Sequence, residues 1–161
     1  MDQRQFTDIY NQLQPKIYRL CLGYTAGDEN AAGELCQRTF INVWNHRHTF
    51  KGNASMSTWV YRIAVNCGLG HLKKKRQERL PSKPVDIPDT EIDDLEQAVD
   101  IQALYACIDK LKPLNKTVIL MELEQVPQDE IAKTLGFSHG SIRTRLIRIR
   151  EALYKCLTNG K

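Results

Sequence analysis

The stretch that most constrains this chain is Gln128 to Leu146, where small and apolar residues stand at spacings that two crossing helices require. Ala132 is small where a second helix would cross the first. Gly136 follows four residues later, where the chain must turn through positive φ, a conformation that suits glycine because it has no Cβ. Ile142 comes six residues after the glycine as an apolar anchor. Ile131 and Leu135 supply the remaining core contacts, and Ser138 is placed to cap the second helix. Two short helices joined at a steep angle through such a turn make a helix-turn-helix. The spacing predicts helices over about 128–135 and 139–157.

The second of these helices turns Ile142, Leu146, Ile149 and Leu153 inward and presents Arg143, Thr144, Arg145, Arg148 and Arg150. Four arginines fall within eight residues, with no acid on the helix to offset them before Glu151. That pattern disfavours an ordinary solvated face. Arginines and a hydroxyl near the start of such a helix are what reading of the DNA major groove requires.

The rest of the chain is also helical in period. Phe6, Ile9, Tyr10, Leu13, Ile17, Tyr18, Leu20 and Cys21 mark a first helix, in which Pro15 predicts a kink or break. A turn follows over residues 23–27. Asp28 then caps a second helix with an apolar face of Ala31, Leu35, Thr39, Phe40, Val43 and Trp44. Ser55 or Ser57 caps a third, carrying Trp59, Val60, Ile63, Ala64, Cys67 and Leu72. The pattern resumes from Leu95 to Leu111, breaks at Pro113, and returns as a short apolar helix from Val118 to Leu123. No segment reads as a strand. The fold class expected is all-α: two small helical domains, 1–79 and 95–161, joined by a flexible acidic linker at 80–94, where Pro81, Pro84 and Pro88 alternate with acids.

Charge divides the chain the same way. Residues 1–80 carry +6, residues 81–100 carry −6 and residues 101–161 carry +4. The net charge of +4 thus hides two basic segments fit for a polyanion. One is the end of the third helix, Lys73, Lys74, Lys75 and Arg76, which suits phosphate contact. Trp59 and Tyr61 precede it beside Arg62 and Asn66. Aromatics among basic side chains suit unstacked DNA, although Trp59 reads more simply as core.

Other classes fall away. No run of eighteen apolar residues occurs, so no stable membrane insertion is expected. The polar N-terminus lacks the apolar core of a secretion signal, which points to the cytoplasm. The five cysteines form no CxxC pair and sit among apolar neighbours, so they are expected as small buried hydrophobes in a reducing compartment. His46 and His48 lack the further ligands that a metal site needs. No nucleophile stands at suggestive spacing from a base, so neither an enzyme nor a cofactor is expected.

Three motifs now resemble one family. Residues 28–44, with Glu34, Leu35, Gln37, Phe40 and Trp44, are similar to the polymerase-binding helix of bacterial extracytoplasmic-function sigma factors. Phe50-Lys51-Gly52 followed by Ser57-Thr58-Trp59-Val60-Tyr61-Arg62-Ile63-Ala64-Val65-Asn66 resembles their promoter-melting segment. Asp129-Glu130-Ile131-Ala132 through Glu151-Ala152-Leu153 resembles their fourth conserved region. The match runs in order over almost the whole chain.

The resemblance implies that Glu34, Leu35, Gln37, Phe40 and Trp44 dock on the clamp coiled coil of core RNA polymerase. It implies that Phe50, Lys51, Gly52, Asn53, Ala54 and Ser55 receive a flipped base of the minus-ten element of promoter DNA, and that Arg62 and Asn66 contact that element. His139, Ser141, Arg143, Thr144, Ile147 and Arg148 would face the minus-thirty-five element. The linker would thread towards the RNA exit path, and an anti-sigma factor would be a partner. Three positions depart from the pattern. Arg38 replaces a usual acid, Gly33 a better helix former, and His139 an apolar residue or proline. The helix-turn-helix alone would equally serve a stand-alone regulator whose N-terminal half dimerises or senses a ligand; the basic, aromatic third helix weighs towards the two-element reader.

Overall fold

The computed structural model describes residues 1–78 and 96–159, with residues 96–100 described by their backbone alone. Every regular element among them is helical. The order is α1 (Gln3–Tyr24), α2 (Glu29–Asn45), a 3-10 turn (Arg47–Thr49), α3 (Met56–Glu78), α4 (Glu96–Asp109), α5 (Pro113–Leu123), α6 (Gln128–Leu135) and α7 (His139–Asn159). The acidic linker expected at 80–94 lies outside the described residues.

Local chemistry sets most of these boundaries. Asp2 accepts from the Gln5 amide at 2.8 Å, and the Gln5 side chain returns a bond to the Asp2 amide at 2.9 Å, a reciprocal cap that starts α1. α1 then runs through Pro15 without ending, so of the kink or break expected there the break does not occur. Pro15 is exposed, so the carbonyl that loses its partner can turn to water. α1 ends before Ala26 and Gly27, both at positive φ. Asp28 accepts from the Ala31 amide at 3.1 Å and opens α2. Ser55, rather than Ser57, caps α3 by accepting from the Thr58 amide at 3.1 Å. Pro113 begins α5, where its missing N–H removes a donor that has no helical partner in any case.

α1, α2 and α3 pack on one another as the first unit, and α4 to α7 as the second. The buried stripe of α2 is Ala32, Leu35, Cys36, Thr39, Phe40 and Val43, so Ala32 and Cys36 take the inward place expected of Ala31. α3 buries Thr58, Val60, Tyr61, Ala64, Val65 and Gly68. α7 buries Ile142, Leu146, Ile149 and Leu153, as its period requires. Each buried leucine, isoleucine, valine or phenylalanine among these contributes roughly 1.5–3 kcal/mol of burial.

The two units meet along α1 and α3 on one side and α4, α5 and α6 on the other. One glycine allows the approach: a Cβ on Gly23 would lie 2.0 Å from Leu120 of α5. Within the first unit, one on Gly68 of α3 would lie 2.4 Å from the Tyr24 ring of α1. Arg19 forms a bidentate pair with Glu124, at 2.9 Å from both Nε and Nη2. This pair holds the Arg19 guanidinium above its ordinary pKa.

The cysteines need a correction. Cys107 of α4 and Cys156 of α7 form a disulfide, with Cα atoms 5.9 Å apart. The packing of α4 on α7 brings them within bonding range. Cys21 and Cys36 are buried thiols and Cys67 is a half-buried one, as expected.

Candidate nucleic-acid interface

The helix-turn-helix is built as its spacing predicts. α6 ends at Gly136, which has φ 76°, and Ser138 accepts from the Ser141 amide at 3.1 Å to cap α7. Ala132 and Ile142 are buried where the two helices cross. Arg143, Thr144, Ile147 and Arg148 all point outward, Ile147 with 53% of its surface exposed. A bare isoleucine between two arginines suits a thymine methyl beside phosphates. Ser141 is half-buried, and His139 stands 3.3 Å from the Gln128 side chain at the mouth of the turn.

Two of the expected outward arginines are engaged within the protein. Arg145 lies over the Phe137 ring at 4.9 Å and donates to Asn115 at 3.3 Å. Its Nε is buried without a partner among the described residues. Arg150 pairs with Glu122 of α5 at 2.7 Å. The charge on α7 is therefore partly offset by an acid on another helix, and the presented cationic face narrows to Arg143 and Arg148.

The second candidate face lies on α3 and the loop before it. Lys51, Gly52, Asn53 and Ser55 are exposed, while Phe50 packs on Trp59 with ring centroids 5.5 Å apart. Ala54 is half-buried. Gly52 has φ 77°, so the loop turns there through a backbone geometry that favours glycine. Asn66, Lys73, Lys74 and Arg76 are exposed and Lys75 is half-buried. Tyr61 is core, and burial pushes its hydroxyl up to about 12. Arg62 is not presented: its Nη2 donates to the Lys133 carbonyl of α6 at 3.3 Å, and its Nε is buried without a partner among the described residues. Beside it, the Thr58 hydroxyl donates to Glu130 of α6.

A third surface is the groove between α1 and α2, about 810 Å³, floored by Phe6, Tyr10, Phe40 and Trp44. Glu34 and Gln37 are exposed beside it, and Trp44 is half-buried under the Arg47 guanidinium at 3.8 Å. Leu35 is only 2% exposed and belongs to the core, so it cannot present itself to a partner. Phe40 is 4% exposed and offers only an edge. Ile41, by contrast, is 52% exposed four residues after Gln37 on the same face, a position the sequence reading missed.

Comparison with known proteins settles the lineage. Residues 9–78 match Sigma-70 region 2, and residues 101–153 match Sigma-70, region 4. The ECF RNA polymerase sigma factor SigW of Bacillus subtilis (strain 168) is 30% identical over 173 aligned positions, covering 97% of this chain and 90% of that one. The chain belongs to the ECF sigma factors. The RNA polymerase sigma factor YlaC of the same organism is 31% identical, covering 96% of this chain and 92% of its own length. The crystallised sigma factor RpoE of Bartonella quintana, in complex with the anti-sigma factor NepR, shares the fold at a TM-score of 0.72 and 16% identity, with 96% and 98% of the two chains covered.

As an ECF sigma factor the chain directs promoter-specific initiation of transcription. The arrangement seen here closes region 2 onto region 4, and α6 of the helix-turn-helix takes up Thr58 and Arg62 of α3. No motif spacing marks those pairs, which join residues about seventy positions apart.

Proposed function

We propose that this sigma factor is a dissociable, non-catalytic subunit that binds core RNA polymerase and reads two promoter elements, one with each helical unit. Residues 1–79 form the polymerase-binding and minus-ten unit, residues 80–94 the linker, and residues 95–161 the minus-thirty-five unit. His139, Ser141, Arg143, Thr144, Ile147 and Arg148 meet the upstream element. Residues 50–55, Arg62, Asn66 and the cluster Lys73 to Arg76 meet the melted one. Glu34, Gln37, Trp44 and the edge of Phe40 dock on polymerase, with Ile41 added and Leu35 removed from that set. The observation that carries this reading is the pairing of two exposed basic faces, one on α7 and one on α3, in a single chain of this family. No metal or cofactor enters it.

The protein acts where polymerase acts, in the cytoplasm; among the described residues no helix is long and apolar enough to cross a membrane. An anti-sigma factor is the expected regulator, in keeping with the partner of the Bartonella quintana structure. Arg62 gives one Nη2 N–H to the Lys133 carbonyl, so a promoter strand gains its full set of donors when α6 leaves α3. Copurification from the native cell followed by run-off transcription with core polymerase tests the proposal. Core polymerase in the eluate and discrete transcripts are expected. Tight operator binding without polymerase would replace it with a stand-alone regulator.

A further inference from the structure

The two sulfurs of the Cys107–Cys156 bond stand in unlike surroundings. Cys107 lies on the inward side of α4, 7% exposed and next to the fully buried Ile108. Cys156 is half-buried near the end of α7, with Tyr154, Lys155 and Leu157 exposed around it. One sulfur is open to a reagent, and the other is held behind it. A cytoplasmic protein also has no ordinary use for a permanent bond of this kind, because disulfides in that reducing compartment are mainly transient, catalytic or redox-sensing.

A cation accompanies the open sulfur. Lys110, one turn of α4 beyond Cys107, brings its Nζ to 3.9 Å from Cys156 Sγ. The neighbouring Asp109 is taken by Lys116 at 3.0 Å, and Lys110 pairs with no acid among the described residues. Once the bond opens, a Cys156 thiolate therefore has this ammonium as its counter-charge. The thiolate is the reactive form of cysteine. α7 ends at Asn159, and the free carbonyls of its last turn disfavour negative charge, which the lysine offsets. The other cysteines offer no such site. Cys21 and Cys36 are 1% and 5% exposed, and half-buried Cys67 carries the uncharged Asn42 amide on its sulfur at 3.3 Å.

We propose that Cys156 is a site of reversible oxidation by peroxides, that Cys107 is its resolving thiol, and that the bond they form sets how firmly region 4 holds together. The Cys156 thiolate attacks one peroxide oxygen; the O–O bond breaks and hydroxide leaves as water, so that Cys156 becomes a sulfenic acid. The Cys107 thiolate then attacks Cys156 Sγ; the S–O bond breaks, a second water leaves and the S–S bond forms. Two thiols have lost two electrons and two protons, and the peroxide has become two waters. A dithiol reverses this by attacking the open sulfur of Cys156, with Cys107 as leaving thiolate and the dithiol ending as a disulfide. Cys156 stands eight residues beyond Arg148, about 12 Å along the helix, so oxidation leaves the DNA-facing side chains as they are. Its effect falls on α4 and α7, which are joined by packing alone in the reduced protein. The proposal rests on the reading of residues 95–161 as the minus-thirty-five unit and on a cytoplasmic site of action.

The test uses the full chain, reduced with dithiothreitol, desalted, exposed to hydrogen peroxide and desalted again before it meets core polymerase. Alkylation and peptide mapping are expected to show Cys107 joined to Cys156, with Cys21, Cys36 and Cys67 still free, and dithiothreitol is expected to open the bond without denaturant. Cys107→Ala should leave Cys156 as a sulfenic acid that dimedone captures. Lys110→Met should slow bond formation about two- to fivefold, the effect of one exposed opposite charge. Transcription by the holoenzyme is then followed over a temperature series on promoters with intact and with scrambled minus-thirty-five elements. The oxidised protein should keep its preference for the intact element to a higher temperature than the reduced one, and Cys156→Ser should follow the reduced protein with or without peroxide. No bond after peroxide, a bond that dithiothreitol does not open in the folded protein, or dimedone on another cysteine overturns the oxidation site. Equal temperature profiles for the two forms overturn its effect on region 4. If neither form distinguishes intact from scrambled elements at any temperature while the bond still opens and closes, the minus-thirty-five reading fails and the oxidation site stands.

Discussion

The hydroxyls of Tyr24 and Thr117 lie 2.6 Å apart, both buried, where α1 of region 2 meets α5 of region 4. Thr117 already donates to the Pro113 carbonyl at 2.9 Å, so its oxygen accepts and Tyr24 donates. Burial drives the Tyr24 pKa upward and keeps that proton in place. Tyr24→Phe removes a donor and should cost about 1 kcal/mol, whereas Thr117→Val strands a buried O–H and should cost about 1–3 kcal/mol. Urea unfolding of both single variants and the double variant measures the coupling. Strictly additive losses would mean that the two hydroxyls do not bond in solution.

Glycine position separates two further substitutions. A Cβ at Gly68 would meet the Tyr24 ring at 2.4 Å, and a ring cannot give way as a flexible chain end can. Gly68→Ala should lose about 1–3 kcal/mol through overpacking. Gly33, in α2, has nothing within 4 Å of the same added atom. Gly33→Ala should gain about 1 kcal/mol from helix propensity. Chemical denaturation of the two variants should thus move in opposite directions, and a shift of the same sign would contradict the close approach of α3 to Tyr24.

On α7, Arg148 has no hydrogen-bond or ion-pair partner among the described residues, while Arg150 is held by Glu122 at 2.7 Å. Arg148→Ala should weaken promoter use by about 1–3 kcal/mol at one upstream position. Arg150→Ala should leave promoter choice unchanged and lower stability by about 0.2–1 kcal/mol, the worth of an exposed pair. Transcription from a set of minus-thirty-five variants distinguishes them. If Arg148→Ala treats every variant as the wild type does, that face of α7 does not read DNA.

What could be read from the sequence was what depends on near neighbours. Ala132, Gly136 and Ile142 announce the helix-turn-helix because crossing, turn and anchor all lie within eleven residues. Asp28, Ser55 and Ser138 cap their helices through amides three residues on. Arg145 and Arg150 were read as presented because their partners, Asn115 and Glu122, sit on α5, 30 and 28 positions away. Arg62 is turned inward by a carbonyl 71 positions away. Leu35 looked like a docking residue by likeness, yet its place on the buried stripe of α2 follows from its period with Thr39 and Phe40. Cys107 and Cys156 are 49 positions apart, and spacing says nothing of such pairings.

That disulfide closes a loop that contains α5, α6 and most of α7. By the chain-entropy account, a loop of 49 residues is worth roughly 4 kcal/mol. Thermal unfolding with and without dithiothreitol should therefore show a clear fall in the midpoint on reduction. Cys156→Ser should sit at the lower midpoint under both conditions. Equal midpoints for the untreated protein and the Cys156→Ser variant would show that the bond is not formed in solution.

His71 makes stability depend on mild acid. Its ring is partly desolvated and meets Lys75 of its own helix, Arg38 of α2 and Lys116 of α5, while Asp28 at the start of α2 opposes them weakly. Together these lower the folded pKa below the ordinary 6.5. The unfolded chain then binds the proton more readily than the folded one. Stability is therefore full above about pH 6.5 and declines as pH falls through the interval between the unfolded and folded values. Urea midpoints measured at pH 7.5 and pH 5.5 should fall for the wild type and fall less for His71→Gln, which keeps a polar side chain without the charge. An equal decline in both proteins would place the acid sensitivity elsewhere. Lys116→Met would then separate two sources, because Lys116 also pairs with Asp109 at 3.0 Å and its loss should relieve His71 while removing that bridge.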